Sequence, residues 1–212
     1  MKKILVATDF SAAADNAVHY ATDMALALNG SIILLYVYQV PVPPYTELPL
    51  PASIDIDTMK EESESKLDAS RKTIELKTRE QVNVRTMAKL GQFYEGLTEA
   101  CEELQPYIVI MGSQGTSAAE RFMFGGHSVY AMRHLNWPLI TVPPDARFGA
   151  LKKIGLACDF HNVEDTVPVT KINHLLADFK AELHVLNTGQ KEQFDPELVF
   201  ERLEVDVRGA TA

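Results

Sequence analysis

Two short apolar runs near the start of the chain, residues 4–7 and 31–37, flank a stretch with helical spacing, and this arrangement constrains the fold more than any other feature. Between them Ala17, Val18, Ala21, Met24, Ala25 and Leu28 recur at the three- and four-residue intervals of one helix face. Ser11 stands where an N-cap belongs, and Asn29 with Gly30 stands where a helix stops. The runs do not alternate with polar residues, as expected of strands covered on both faces. Two such strands joined by a helix make a βαβ unit, which implies a parallel sheet.

The same alternation continues. Residues 39–52 hold so many prolines that they read as an extended surface loop, either a lid over the ligand edge of a sheet or a linker. Residues 57–81 read as a helix with Met59, Leu67, Ile74 and Leu76 as apolar points. Its acidic first half (Glu61, Glu62, Glu64) and more basic second half (Arg71, Lys72, Lys77, Arg79) suit the helix dipole. A strand over 82–88, a helix over Phe93–Leu104, a strand over 107–111 and a short helix over 128–135 follow. The last strand, 138–143, is bracketed by prolines and so suits an edge. The sum is a doubly wound α/β domain with five mainly parallel strands, the first and fourth being neighbours.

The strand ending at Met111 runs into Gly112-Ser-Gln114-Gly115, then nine residues, then Gly125, Gly126, His127 and Ser128. Glycines here are plain turn residues or a phosphate cradle, since without Cβ atoms they accept positive φ and let N–H groups approach an anion. A helix starting after Gly126 would add its positive end. His127 is placed either to meet a phosphate or its metal, or to sit on the loop surface. Asp9 has two readings of its own: a cap for the first helix, or a carboxylate at the ligand edge of the sheet.

Taken together these residues resemble the universal stress protein family. Gly-x-x-Gly, nine residues and Gly is similar to the loop of its ATP-binding members, Gly-2x-Gly-9x-Gly-(Ser/Thr). Residues 3–11, Lys-Ile-Leu-Val-Ala-Thr-Asp-Phe-Ser, resemble the family's first strand and its ribose-side aspartate. The resemblance implies an adenine nucleotide α-hydrolase-like fold that binds ATP, with or without Mg. Asp9 would lie on the ribose and Val37 near the base. The N–H groups of Gly112, Gly115, Gly125 and Gly126 would meet the phosphates, with Gln114 and His127 in the same loop. It further implies a homodimer through Leu139–Val142 and a regulatory output in stress response, a dimeric switch with at most slow ATP hydrolysis. One departure stands out: Gly126 occupies the family's Ser/Thr position, and Ser128, two places later, becomes the substitute hydroxyl. The alternative is a dimeric interaction module of the same family without nucleotide.

Residues 152–160 repeat residues 2–10 at an offset of 150, and the parallel extends without a gap to residues 181–186, opposite 31–36. The expected organisation is a universal stress protein domain over 1–143, a linker over 144–151 and a partial second repeat over 152–212. Asp159 matches Asp9 but has no second glycine loop after it. The half-copy is thus expected to be a piece of a longer tandem protein or a structural addition.

Composition excludes some alternatives. A net charge of -9 without a basic cluster argues against nucleic-acid binding. The N-terminal apolar run is too short for a signal or membrane segment, so a cytoplasmic protein without membrane partners is expected. Cys101 and Cys158 lack metal or redox spacing, and the six histidines form no ligand set. There is no Gly-x-Ser-x-Gly elbow, Cys/His pair or Walker A lysine, and no catalytic or metal-ligating residue is assigned. Enzymes of the wider nucleotide α-hydrolase-like group carry a Ser-Gly-Gly-x-Asp-Ser loop at the first strand, which Ala7, Thr8 and Asp9 do not provide.

Overall fold

The computed structural model describes residues 1–40, 55–113, 126–158 and 167–186, with the backbone alone at 126–129. They form two units, divided between Gly149 and Ala150.

The first unit runs β1 (Lys3–Ala7), α1 (Ala12–Leu28), β2 (Ser31–Tyr38), α2 (Ile56–Thr78), β3 (Val84–Leu90), α3 (Phe93–Leu104), β4 (Ile108–Gly112), α4 (Gly126–His134) and β5 (Leu139–Val142). The sheet order is β3-β2-β1-β4-β5 and every pairing is parallel. β1 is central, which is why Ile4, Leu5 and Val6 have no exposure and no polar residue between them. The pleat divides the core. Leu5, Ala7, Ile33, Leu35, Val109 and Met111 pack with Leu97 and Cys101 of α3 and Ala131 of α4. Ile4, Val6, Ile32, Leu34, Ile108 and Ile110 alternate onto the face that α1 and α2 cover.

α1 and α3 have the bounds that their periodicity and stop signals predict. α2 ends three residues early: Arg79 and Glu80 take left-handed φ of 50° and 60°, reversing the chain so that β3 begins at Val84 rather than 82. Leu76, expected on the apolar face, is 80% exposed. It lies two residues beyond buried Ile74, about 200° around the helix, on the solvent side. The buried stripe of α2 is instead Ser63, Leu67, Ile74 and Thr78. The two hydroxyls are satisfied within the helix, Ser63 donating to the Met59 carbonyl at 2.7 Å and Thr78 to that of Ile74 at 2.9 Å.

After β5 the chain is strapped onto α1. Asn16, 7% exposed, donates through Nδ2 to the carbonyls of Pro143 (2.8 Å) and Ala146 (3.1 Å). Arg147 donates to Asn16 Oδ1 and to the Ala146 carbonyl. Phe148 meets Tyr20 edge to face at 5.3 Å between ring centres, and burial pushes the Tyr20 phenol up.

The second unit contains β6 (Lys153–Ala157), α5 (Val169–Phe179) and β7 (Glu182–Leu186), with β6 and β7 parallel. Its hydrogen bonds copy those of the first. Glu182 N–H donates to the Lys152 carbonyl as Ser31 N–H does to Lys2. Left-handed Lys180 closes α5 through the Leu176 and Ala177 carbonyls as Asn29 closes α1 through Ala25 and Leu26. These equivalences correct the ungapped repeat: β6 keeps the offset of 150, whereas the α5 cap and β7 come one residue later. Strand register follows the pleat, and the later position sets Leu183 and Val185 beside Ile154 and Leu156.

Candidate functional site

The strand order reverses between β1 and β4, and an open α/β sheet offers its ligand crevice at the carboxyl ends of strands flanking such a reversal. Ala7 and Met111 are paired there, so Asp9 and Gly112 follow from neighbouring strand ends. β5 closes the far side through a 2.8 Å bond from Ser113 N–H to the Val142 carbonyl.

The turn from β1 to α1 is built from local bonds. Thr8 N–H donates to the Leu35 carbonyl at 2.9 Å, extending the β1–β2 ladder. Phe10 N–H donates to Thr8 Oγ1 at 3.0 Å, and Ser11 N–H to Asp9 Oδ1 at 2.9 Å. Ser11 Oγ accepts the Ala14 N–H at 3.3 Å and is the N-cap. Asp9 is therefore not the cap of α1. It is exposed, and its Oδ2 has no hydrogen-bond partner among the described residues.

Gly112 is the last residue of β4, not a loop residue with positive φ. Its missing Cβ serves close approach: an added Cβ would stand 2.5 Å from the Ala13 carbonyl oxygen and 2.9 Å from the Ala14 nitrogen. The first turn of α1 is laid directly on the end of β4. Gly126, His127 and Ser128 form the backbone of the first turn of α4, which starts two residues earlier than its apolar pattern predicts. Helix N–H groups there lack intrahelical partners, and a nine-residue helix presents its positive end at that turn. Gln114, Gly115 and Gly125 lie outside the described residues, as do Asp159 and the proline-rich stretch at 41–54.

Val37 is half-buried near the carboxyl end of β2, on the α3 face, where Gly96 admits it: a Cβ on Gly96 would meet Val37 Cγ2 at 2.9 Å. A glycine inside a helix pattern is the sequence signal for this contact. Asn16, Phe10 and Tyr36 carried no such signal.

Among the described residues no cluster of three or more His, Cys, Asp or Glu could hold a metal, and no helix is long and apolar enough to cross a membrane. An open cavity of about 470 Å³, lined by Lys2, Lys3, Leu28, Asn29, Gln105 and Tyr107, lies at the amino ends of β1 and β4, the edge opposite Asp9. Cys101 is fully buried on the sheet-facing side of α3, and burial, aided by the Glu102 charge, pushes its thiol up to about 12.

A universal stress protein of Methanocaldococcus jannaschii is 25% identical over 143 residues, 66% of this chain and 81% of its own length. A solved universal stress protein of Archaeoglobus fulgidus superposes on 94% of this chain and 71% of its own, with a TM-score of 0.71 and 19% identity. The UspA protein of Lactobacillus plantarum covers 66% of this chain and 97% of its own at a TM-score of 0.55 and 20% identity. At these identities the two structures show a shared fold. The family profile of the universal stress proteins matches residues 1–143, and the chain belongs to the universal stress protein family.

Proposed function

We propose that this chain is a stress-response regulatory protein, cytoplasmic, that binds an adenine nucleotide, ATP, at the carboxyl ends of β1 and β4. The observation that carries the reading is the adjacency of Asp9 and Gly112 beyond the paired residues Ala7 and Met111. In this reading Asp9 takes the ribose hydroxyls through the oxygen that Ser11 does not use, and Val37 borders the base. N–H groups at Gly112, Gly115, Gly125 and Gly126 meet the phosphates, the last from the first turn of α4, with Gln114, His127 and Ser128 beside them. Mg enters with ATP. The chain dimerises through β5, an edge strand that pairs with β4 on one side, and occupancy biases the dimer or its choice of partner, with at most slow hydrolysis. Residues 152–212 form a partial second repeat. The matching α1 and α5 caps support that reading.

A second reading has its own support: Gly112 has a packing reason to be glycine, and Gly126 replaces the expected hydroxyl residue. On those grounds the protein is a dimeric interaction module without nucleotide.

Calorimetric titration with Mg-ATP and with AMP separates them, using wild type, Asp9→Ala and Gly115→Val. Saturable binding, weakened about tenfold by loss of the carboxylate and abolished by Gly115→Val, supports the nucleotide reading. No binding at millimolar ligand by folded wild type would leave the interaction module.

A further inference from the structure

Phe10 sits at φ 61°, in the left-handed region that a bulky side chain rarely adopts. Such a conformation persists where its surroundings fix it. Its N–H is held by Thr8 Oγ1 at 3.0 Å. Its ring meets Tyr36 of β2 edge to face at 4.8 Å, and Tyr36 stacks at 6.3 Å on buried Tyr38. Lys66 of α2 places its ammonium 5.9 Å from the same ring centre, within cation–π range. The β1–α1 turn is thereby clamped from two elements distant in sequence. The clamp lies on the sheet face opposite Val37. Asp9, between Thr8 and Phe10, is the residue whose direction that turn sets.

We infer that Phe10 is a positioning residue for Asp9: its clamped ring holds the turn in the one conformation that keeps the Asp9 carboxylate, with Oδ2 open to an incoming donor, at the β1–β4 crevice. For the donor, the vicinal hydroxyls of a ribose, the inference rests on the nucleotide reading; for the turn it does not. A turn needing only left-handed φ would be less strained with glycine or asparagine. The aromatic residue adds the lateral clamp that neither supplies.

The test uses the full chain as wild type, Phe10→Ala, Phe10→Gly and Phe10→Tyr, with two readouts. Amide exchange by NMR follows the Ser11 N–H, which reports the Asp9 Oδ1 bond, against Val18 inside α1. Ser11 protection should fall about tenfold in the Ala and Gly variants with Val18 unchanged, and return with Tyr. The second readout is affinity for ATP against 2′,3′-dideoxy-ATP, which lacks both hydroxyls. Phe10→Ala should weaken ATP about tenfold and leave the dideoxy nucleotide little changed. Unaltered Ser11 exchange in Phe10→Gly, or equal loss of both nucleotides, would overturn the inference. Absence of ATP binding by wild type would overturn the nucleotide reading instead, with Ser11 exchange still deciding the role of Phe10. Should Phe10→Ala not fold, Lys66→Ala on the exposed side of α2 removes one arm of the clamp, and a Ser11 amide indifferent to it counts against the clamp.

Discussion

Gly112 and Ala13 are in backbone contact: a Cβ on Gly112 would stand 2.5 Å from the Ala13 carbonyl oxygen and 2.6 Å from its carbon. Backbone cannot swing aside as a side-chain tip can, so relief requires α1 to lift from the sheet. Gly112→Ala is expected to destabilise the first unit by roughly 1–3 kcal/mol. Urea unfolding monitored at Trp137 measures it, and a change within error of wild type would show that α1 is not seated on β4.

Asn16 binds the strap after β5 through two carbonyls, and Arg147 completes its amide. Asn16→Ala removes one of the two bonds to each carbonyl at a nearly buried site, leaving the Pro143 carbonyl with the Ala146 N–H and the Ala146 carbonyl with Arg147, and is expected to lose about 1–3 kcal/mol. Arg147→Ala, at an exposed position, should cost less than about 1 kcal/mol. Limited proteolysis gives the sharper readout: cleavage after residue 143 should accelerate in Asn16→Ala, while an unchanged cleavage rate would argue that Tyr20 and Phe148 hold the strap unaided.

Gly96 and Val37 form a test pair. A Cβ on Gly96 meets two Val37 methyls at 2.9 and 3.1 Å, and a β-branched side chain has few rotamers to which it can retreat. Gly96→Ala alone should destabilise by about 1 kcal/mol. In a Val37→Ala background the same change should turn stabilising by up to about 1 kcal/mol, because helix propensity then acts unopposed. A double-mutant cycle with no coupling would refute the contact.

Burial disfavours the Cys101 thiolate and, with the Glu102 charge, pushes the thiol up from its ordinary 9.0 to about 12. The unfolded thiol ionises first as pH rises, so the folded state keeps full stability below about pH 9 and loses it progressively between about 9 and 12, by up to roughly 4 kcal/mol from this group. Alkaline unfolding curves should therefore flatten over that window in Cys101→Ala. At pH 8 the half-buried Cys158 should react with a thiol reagent faster than Cys101, whose modification should follow the unfolding rate.

The local code was legible where a single element decides the outcome. α1 and α3 could be bounded from apolar spacing and their stop signals, and the βαβ order implied a parallel sheet with β1 beside β4. Family membership followed from two motifs that are linear in sequence. Periodicity reports which face of an element is buried, but not how closely two elements approach or how far a reversal carries the chain. Gly112 was legible as a glycine with a purpose. Its contact with Ala13 belongs to the packing of α1 on β4. Leu76 looked apolar enough for the core until the stripe through Leu67 and Ile74 set the rotation of α2. The one-residue shift of β7 emerged from hydrogen-bond register, which an ungapped comparison cannot register. Phe10 had no signal in the sequence, because its left-handed turn depends on Tyr36 and Lys66 from other elements. Composition and spacing determined the elements, their order and the family; tertiary packing alone decided distances, registers and the clamp beside Asp9, because those are properties of pairs of elements rather than of any one.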